Sequence, residues 1–549
     1  MKGTFAAFAM GMSVAAFCCS SAAQAVPPPA VPTPGAVQST LPAKPAVPKT
    51  KATPEVQTSP APAPGVSPGG PEVLVKGFVI TGNTVFSDAE LQAQIAAWVG
   101  KRQTLAQLYE VADKLTAFYR QHGYGLAYVS LPAQTLANGN VRLQVVEGRI
   151  GNIAIQGNDH TGSATLIKRV SNIHTGDVYT DAAMERAAML LNDLPGMHAR
   201  AVMSPGQEFG TSDVLFKVQE TPYNGDASID DYGRSVIGRW RLNADVFVNS
   251  LTGHGDQLSA GITHSAGNLL NFGKLGYSLP FGPAGGSLTA GWNRAVYHVG
   301  GSLFGPLNIS GTTQNGSLNY LYAQERTRSE SFYWGFGATH NTSTVDTSGN
   351  SVTSTDINLL QLTTFYTRSH PDFSYYTLAG NLWTNGKHND GTLTNAEKLR
   401  VQFDASYVQP FATLWRFISS GSLLYSPDPL VDTDKFSLGG PDNVRGFLPA
   451  EQRGDRGVFV SLELQRSFAI GGLPMALGGF VDSGKVWNVA TKTTPGSNQG
   501  LSSAGAEWLF GPSSGAWNAR LQWAYAIGGY RPSDGNGGGH IWFTLGTRF

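Results

Sequence analysis

The sequence predicts a membrane all-β protein: a C-terminal transmembrane barrel of about 16 antiparallel strands behind two small α/β modules. Three observations predict it. From Tyr223 to Phe549 apolar and polar residues alternate with a period of two. Between Glu72 and Pro222 the spacing is that of short helices and strands, and one order of elements occurs twice. The composition suits strands and tight turns. Charged residues are 14%, against roughly 25% in soluble domains, with 67 glycines and 10% aromatics in 549 residues. The formal net charge is zero, 38 basic against 38 acidic side chains, which argues against a nucleic-acid partner.

Residues 1–25 read as a secretory signal, with Lys2, an apolar run from Phe5 to Phe17, and Ala23-Gln24-Ala25 as the cleavage site. A membrane anchor would need a longer apolar run. A lipoprotein signal would put Cys18 or Cys19 at the cleavage point, and Ala15-Ala16-Phe17 fits that poorly. Both cysteines fall inside the signal, so the mature chain is expected to lack disulfide and thiolate chemistry. No later segment offers 18 uninterrupted apolar residues, which excludes a helical membrane protein but not a barrel.

Residues 26–71 hold 14 of the 31 prolines and read as an extended linker that packs no core. A docking site for a proline-recognising partner is the weaker reading. The first module, residues 72–149, opens with a strand over Val73–Ile80. Ser87-Asp-Ala-Glu90 and Thr104-Leu-Ala-Gln107 are capping boxes that start two helices. Leu108, Ala112, Leu115 and Tyr119 form the apolar stripe of the second helix, and Gly123 stops it. Strands follow over Leu126–Leu131 and Val141–Val146. The second module, residues 150–222, repeats this order. Ile153-Ala-Ile-Gln-Gly157-Asn158 echoes Phe78-Val-Ile-Thr-Gly82-Asn83, and Val214 to Glu220 echoes Val141 to Glu147. Asp181–Leu194 reads as a helix ended by Pro195-Gly196.

Residues 223–549 form the barrel. Leu399 to Tyr407 alternates without a miss. Val458, Val460, Leu462 and Leu464 share one face, with Ser461, Glu463 and Gln465 on the other. Trp517, Ala519, Leu521, Trp523 and Tyr525 stand opposite Asn518, Arg520 and Gln522. Asn385-Gly386, Asn389-Asp-Gly391 and Thr347-Ser-Gly-Asn350 are turn signals. A soluble sandwich would alternate too. Aromatics recurring near strand ends, and a last strand running Ile541 to Phe549, favour the membrane.

Two stretches carry a candidate site. Gly439-Gly-Pro-Asp-Asn-Val444-Arg445-Gly446-Phe447 is a glycine-rich loop with one arginine, and Phe480-Val-Asp482-Ser-Gly484 is a strand with one acid. Read alone, a loop arginine is solvated. Gly479 to Val486 nearly spells a phosphate-binding loop, but Val486 stands where a hydroxyl would hold magnesium. The histidines are scattered and no metal motif occurs, so no cofactor, metal or catalytic residue is expected. Asp230-Asp231 are adjacent strand residues that face opposite ways, poor material for a shared acid/base site.

The whole order, from signal and proline-rich linker to modules and barrel, resembles the outer-membrane transporters of two-partner secretion (TpsB). These are the haemolysin and filamentous-haemagglutinin exporters, within the Omp85 superfamily. Gly123 to Gln134 and Val141 to Gly148 resemble the first polypeptide-transport-associated (POTRA) module of that family. Ile229-Asp-Asp-Tyr-Gly233, Asn249 to Asp256 and Tyr277 to Gly282 resemble its first barrel strands. Val444-Arg-Gly-Phe447 resembles the tip of its long inward-folded loop, here near residues 439–456, and Phe480 to Gly484 the strand motif that meets it. The resemblance implies periplasmic POTRA modules and an outer-membrane barrel inserted by the barrel-assembly machinery. It also implies an unfolded partner polypeptide, an adhesin or haemolysin, captured by β-augmentation and exported without nucleotide hydrolysis. It implies a latch in which Arg445 pairs with Asp482. The runner-up reading is an Omp85-type outer-membrane protein insertase, against which the presence of only two modules argues. A barrel enzyme or passive pore has no need of docking modules. The chain departs from the family twice. Phe447 replaces the usual tyrosine, and residues 26–71 hold too many prolines for the plug helix of many members, so a plug here is expected to be extended or absent.

Overall fold

The computed structural model describes residues 32–41, 56–57, 72–135, 138–389, 399–490, 495–536 and 539–549. The proposed signal and most of the linker lie outside these residues.

The first module is a three-stranded sheet in the order Gly77–Thr81, Asn140–Val146, Tyr128–Ser130, the first pair parallel and the second antiparallel. Two helices cover one face, α2 (Asp88–Ile95) and α3 (Leu105–Gln121). A helix of the linker, α1, spans Pro34–Thr40. Both capping boxes close: Ser87 N donates to Glu90 Oε2 at 2.9 Å, and Thr104 N to Gln107 Oε1 at 2.8 Å. The helical spacing sends Leu91, Ile95, Leu108, Leu115 and Tyr119 inward onto Val141, Leu143 and Val145. In the second module α4 (Ser163–Arg169) and α5 (Asp181–Asn192) cover the strands Arg149–Gln156, Thr211–Glu220 and Met197–Pro205. Leu166, Leu191 and Phe216 sit in its core.

The sequence repeat is a repeat of contacts. Gly82 and Gly157 hold φ of +86° and +89°, and a Cβ on either would strike a strand carbonyl, of Val145 and of Val218. Glu147 accepts from Val85 N at 2.8 Å, from Thr84 N at 2.6 Å and from Tyr119 Oη at 3.1 Å. Glu220 accepts from His160 N at 2.6 Å and Thr161 N at 3.0 Å. Each module thus ties the loop after its first strand to a glutamate at the end of its last. Burial alone pushes the Glu147 carboxyl up. The hydrogen bonds from Thr84, Val85 and Tyr119 outweigh it and hold the carboxyl below the usual range.

Sixteen antiparallel strands close the barrel. They are β1 (Tyr223–Asp230), β2 (Arg241–Asn249), β3 (Gln257–Ser265), β4 (Leu270–Pro280), β5 (Gly286–His298), β6 (Ile309–Arg326), β7 (Glu330–Thr347), β8 (Asn350–Ser369), β9 (Tyr375–Asn389), β10 (Leu399–Phe411), β11 (Trp415–Tyr425), β12 (Arg456–Ile470), β13 (Leu473–Asn488), β14 (Ser497–Phe510), β15 (Trp517–Ile527) and β16 (His540–Arg548). β1 pairs with β16 from Asp226↔Arg548 to Asp230↔Thr544 and completes the ring. Period-two alternation turns Leu462, Leu464, Leu477 and Val481 outward and exposed, and Glu463, Gln465, Asp482 and Glu507 inward and buried.

One turn expectation fails. Asn385-Gly386 lies inside β9, where the pairing slips between Ile357↔His388 and Leu359↔Asn385. The pair marks a bulge, because an extra residue in a strand uses the same permissive residue types as a turn. Thr347 to Asn350 is a turn, with Ser348 and Gly349 at positive φ. Residues 390–398, which include the Asp390-Gly391 signal, lie outside the described residues.

The second module is bolted to the near rim of the barrel. Arg326 at the end of β6 meets Asp193 at 2.7 Å with both side chains buried, and Arg169 Nη1 donates to Gly286 O at 2.8 Å.

Candidate functional site

The connection between β11 and β12 does not stand out from the barrel. It turns inward and forms a hairpin in the lumen, Phe436–Leu438 paired with Gln452–Gly454. Three glycines permit the path. Gly439 and Gly440 hold φ of +101° and +111°. Gly446 passes so close to the wall that a Cβ would lie 2.7 Å from Ser503 Cβ and 2.8 Å from Ala526 N.

At the tip, Arg445 enters a pocket of acids on the wall. Its Nε donates to Asp482 Oδ2 at 2.9 Å and its Nη2 to Asp482 Oδ1 at 2.8 Å, a bidentate fork. The Arg445 backbone N–H adds a third bond to Asp482 Oδ2 at 3.1 Å. Nη1 reaches Glu463 Oε2 at 3.2 Å, and Glu507 lies 3.8 Å away. The guanidinium carbon stands 3.2 Å from the centroid of the Phe480 ring. Ser461 and Ser503 donate to the two oxygens of Asp482 at 2.8 and 3.1 Å, so its acceptor sites are filled. Arg445 is 4% exposed and Asp482 is fully buried, which removes the screening that weakens surface pairs.

All seven expected residues converge. Val444 and Phe447 are fully buried in an apolar cushion with Leu438, Phe459, Val486 and Leu501. The Phe447 ring lies 6.0 Å from that of Tyr530. A Cβ on Gly484 would strike Leu438, so this glycine makes room for the hairpin.

Other residues escaped the sequence reading. Arg520 on β15 links Glu507 (2.6 Å) to Asp442 of the loop (2.9 Å), a clasp of reversed polarity. Arg400 on β10 meets loop Asp434 at 2.9 Å, both buried. On β16, Trp542 Nε1 donates to Arg445 O at 2.7 Å and His540 Nδ1 to Gly446 O at 2.9 Å. The inward polar faces of β12 and β15 were signals for Glu463 and Arg520. Nothing in the sequence paired them with the loop.

The plug expectation is corrected. Residues 34–40 of the linker form a helix, α1 (Pro34–Thr40), buried inside the lumen. Pro34 takes the first helical turn, where its missing N–H has no intrahelical partner to lose, and Thr33 caps it by accepting from Ala36 N at 3.3 Å. No proline follows until Pro42, which is room for two turns. Val37 packs against Leu270, Tyr297, Phe304 and Ile309. Gly35 N donates to Asp432 Oδ2 at 2.7 Å, Arg453 Nη1 to Thr33 Oγ1 at 2.9 Å, and Arg241 to the Thr40 carbonyl. The plug therefore rests on the base of the inward loop. A cavity of about 560 Å³ remains beside it, lined by Ser39, Tyr232, Arg241, Trp383, Arg400 and Phe436 among others.

The chain is thus a plugged barrel with a clasped inner loop, carried behind two tandem modules. Residues 210–508, more than half of the chain, match the family of haemolysin secretion/activation proteins ShlB/FhaC/HecB. The chain belongs to that family. Residues 73–148 match the ShlB-type POTRA domain. The heme/hemopexin transporter protein HuxB of Haemophilus influenzae strain 86-028NP is 32% identical over 248 residues, 43% of this chain and 42% of that protein. The chain thus aligns with less than half the length of that relative. The outer membrane transporter CdiB of Escherichia coli is 26% identical over 85% of this chain and 78% of its own. The solved structure of CdiB from Escherichia coli superposes with a TM-score of 0.72 at 20% identity, covering 89% of this chain and 93% of that one. BamA from Haemophilus ducreyi lacking POTRA domains 1–3 gives 0.50 at 17% identity, covering 86% and 100%, a likeness of fold alone. Members of the family are outer-membrane barrels with periplasmic POTRA domains, so the module side of this barrel is the periplasmic side.

Proposed function

We propose that this chain exports an unfolded partner polypeptide across the outer membrane, with Arg445 holding the inner loop in its working pose. The observation that carries the reading is the buried fork between Arg445 and Asp482, which holds the tip of the inner loop to the lumen wall. A structural loop needs no such burial of charge. A loop that must be held at one depth, and released, does.

Capture is by β-augmentation at the POTRA modules, where backbone pairing recognises an extended chain without demanding a sequence. One edge already takes such a strand from the linker: Val56–Gln57 pair in parallel with Ala201 and Val202. Tyr128–Ser130 is an edge strand of the first module. No nucleotide hydrolysis enters this reading. Binding on the near side and folding on the far side supply the drive. The plug and the loop share Asp432 and Arg453, so passage requires both to shift.

The test is co-expression with the candidate secreted partner and assay of the medium. Export that depends on this chain, and falls with Arg445→Ala while the barrel still inserts, supports the reading. Normal export by Arg445→Ala overturns the latch. Loss of unrelated outer-membrane barrels on depletion of this chain would instead make it an insertase.

A further inference from the structure

We propose that the outer wall of the barrel carries a groove for one anionic phospholipid of the periplasmic leaflet, directly behind the strand that bears Asp482. Strand alternation on β13 sends Phe480 and Asp482 into the lumen and Gly479 and Val481 toward the bilayer. The register places Gly479 between Leu464 on β12 and Ala506 on β14. Leu464 and Leu477 project outward, whereas Gly479 has no heavy atom within 4 Å of where its Cβ would stand. The missing side chains leave an apolar groove of about 730 Å³, with Trp415 and Phe468 among the residues that line it. That volume lies within the roughly 300–1,000 Å³ of small-molecule sites.

The headgroup end is set by Arg466. It faces outward, pairs in register with Trp415, and its guanidinium lies 5.7 Å from that indole. An arginine on the lipid face is costly at mid-bilayer and costs close to nothing at the interface. Arg466 is near the periplasmic end of β12 and flanked by aromatic residues, which is the level of lipid phosphates. Among the described residues no carboxylate lies within ion-pair distance of it. A planar cation with no acid beside it matches a phosphate and offers nothing to the ammonium of a zwitterionic headgroup. The fitting ligand is therefore phosphatidylglycerol-like, one chain in the groove and the phosphate on Arg466. This site is independent of what passes through the lumen.

The experiment uses the full-length protein in nanodiscs of equal phosphatidylglycerol and phosphatidylcholine, released into mild detergent and weighed by native mass spectrometry. One retained lipid is expected, phosphatidylglycerol favoured about fivefold, the factor one arginine supplies at an anionic surface. Gly479→Phe fills the groove and loses the retained lipid. Arg466→Gln keeps a lipid but loses the headgroup preference. Heat-modifiable migration reports that each variant is a closed barrel. Equal retention of the two lipids by the unmodified protein overturns the proposal, as does a Gly479→Phe barrel that retains the same lipid. Should Gly479→Phe fail to close, an unchanged preference in Arg466→Gln overturns it alone.

Discussion

The two POTRA modules and the barrel bury opposite things. Leu91, Leu108, Leu115 and Phe216 are the interior of the modules, and most of their charged groups are on the surface, with Glu147 a buried exception. In the barrel Leu462, Leu464 and Leu477 are outside, and Asp482, Glu463, Glu507 and Arg445 are inside. The reason is the solvent on each side. Water surrounds the modules, so apolar area is removed from it. Lipid surrounds the barrel, so the apolar face turns out and the backbone satisfies itself through a closed ring. The lesson is that burial has two meanings in one chain. In the modules it signifies stability. In the lumen a buried charge is costly unless every bond is made, so it marks a part that the fold holds on purpose.

The largest test of that contrast is Arg445→Ala. It leaves Asp482, Glu463 and Glu507 without their shared cation, a change that costs about 3–5 kcal/mol for a buried pair. Export of the partner is expected to fall to background while heat-modifiable migration of the barrel persists. Arg445→Lys keeps the charge but not the fork, and restores export only in part. Matched leucines give the next effect. Leu115→Ala in the first module is expected to lower its resistance to protease by about 2–5 kcal/mol. Leu462→Ala on the barrel surface changes stability by less than about 1 kcal/mol, because lipid tails replace the lost contacts. Equal losses at the two sites would break the contrast.

Glu147 sharpens it from the polar side. Its carboxyl is held low in the folded module, so its stabilisation is complete above the ordinary carboxylate range near 4.3. It is lost as pH falls through the depressed folded value. Glu147→Gln is expected to destabilise the first module by about 2 kcal/mol at neutral pH. It should also flatten the acid limb of a proteolysis profile that the unmodified module shows below about pH 4. The smallest effect is at the plug. A side chain at Gly35 meets the Asp432 carbonyl, so Gly35→Val is expected to loosen α1 and raise single-channel conductance in planar bilayers without changing barrel stability.

Much of the fold is legible in the sequence because its signals are local. The repeated Gly-Asn and the repeated glutamate predict two modules, and in both modules the glutamate ties down the loop after the first strand. A strict period of two predicts which face of β12 and β15 is wet. The misreadings have local causes as well. Asn385-Gly386 has the composition of a turn and serves as a bulge. The prolines of the linker mask α1, because Pro34 heads a helix instead of interrupting one. The pairing of Arg445 with Asp482 came from family likeness. Glu463, Arg520, Trp542 and His540 did not come at all, because partners brought together by a closed ring leave no spacing to read.

The sequence by itself determined the modules, the strand alternation and the presence of one arginine in a glycine-rich loop. Those follow from backbone periodicity and turn chemistry, which act over a few residues. Only the tertiary structure decided that the loop folds inward, that α1 lies against it, and that acids from β12, β13 and β14 surround one guanidinium. Closing sixteen strands into a ring made those distant residues neighbours. The physical reason is that closure fixes which inward side chains share the enclosed space, and period alone says only which way each one points.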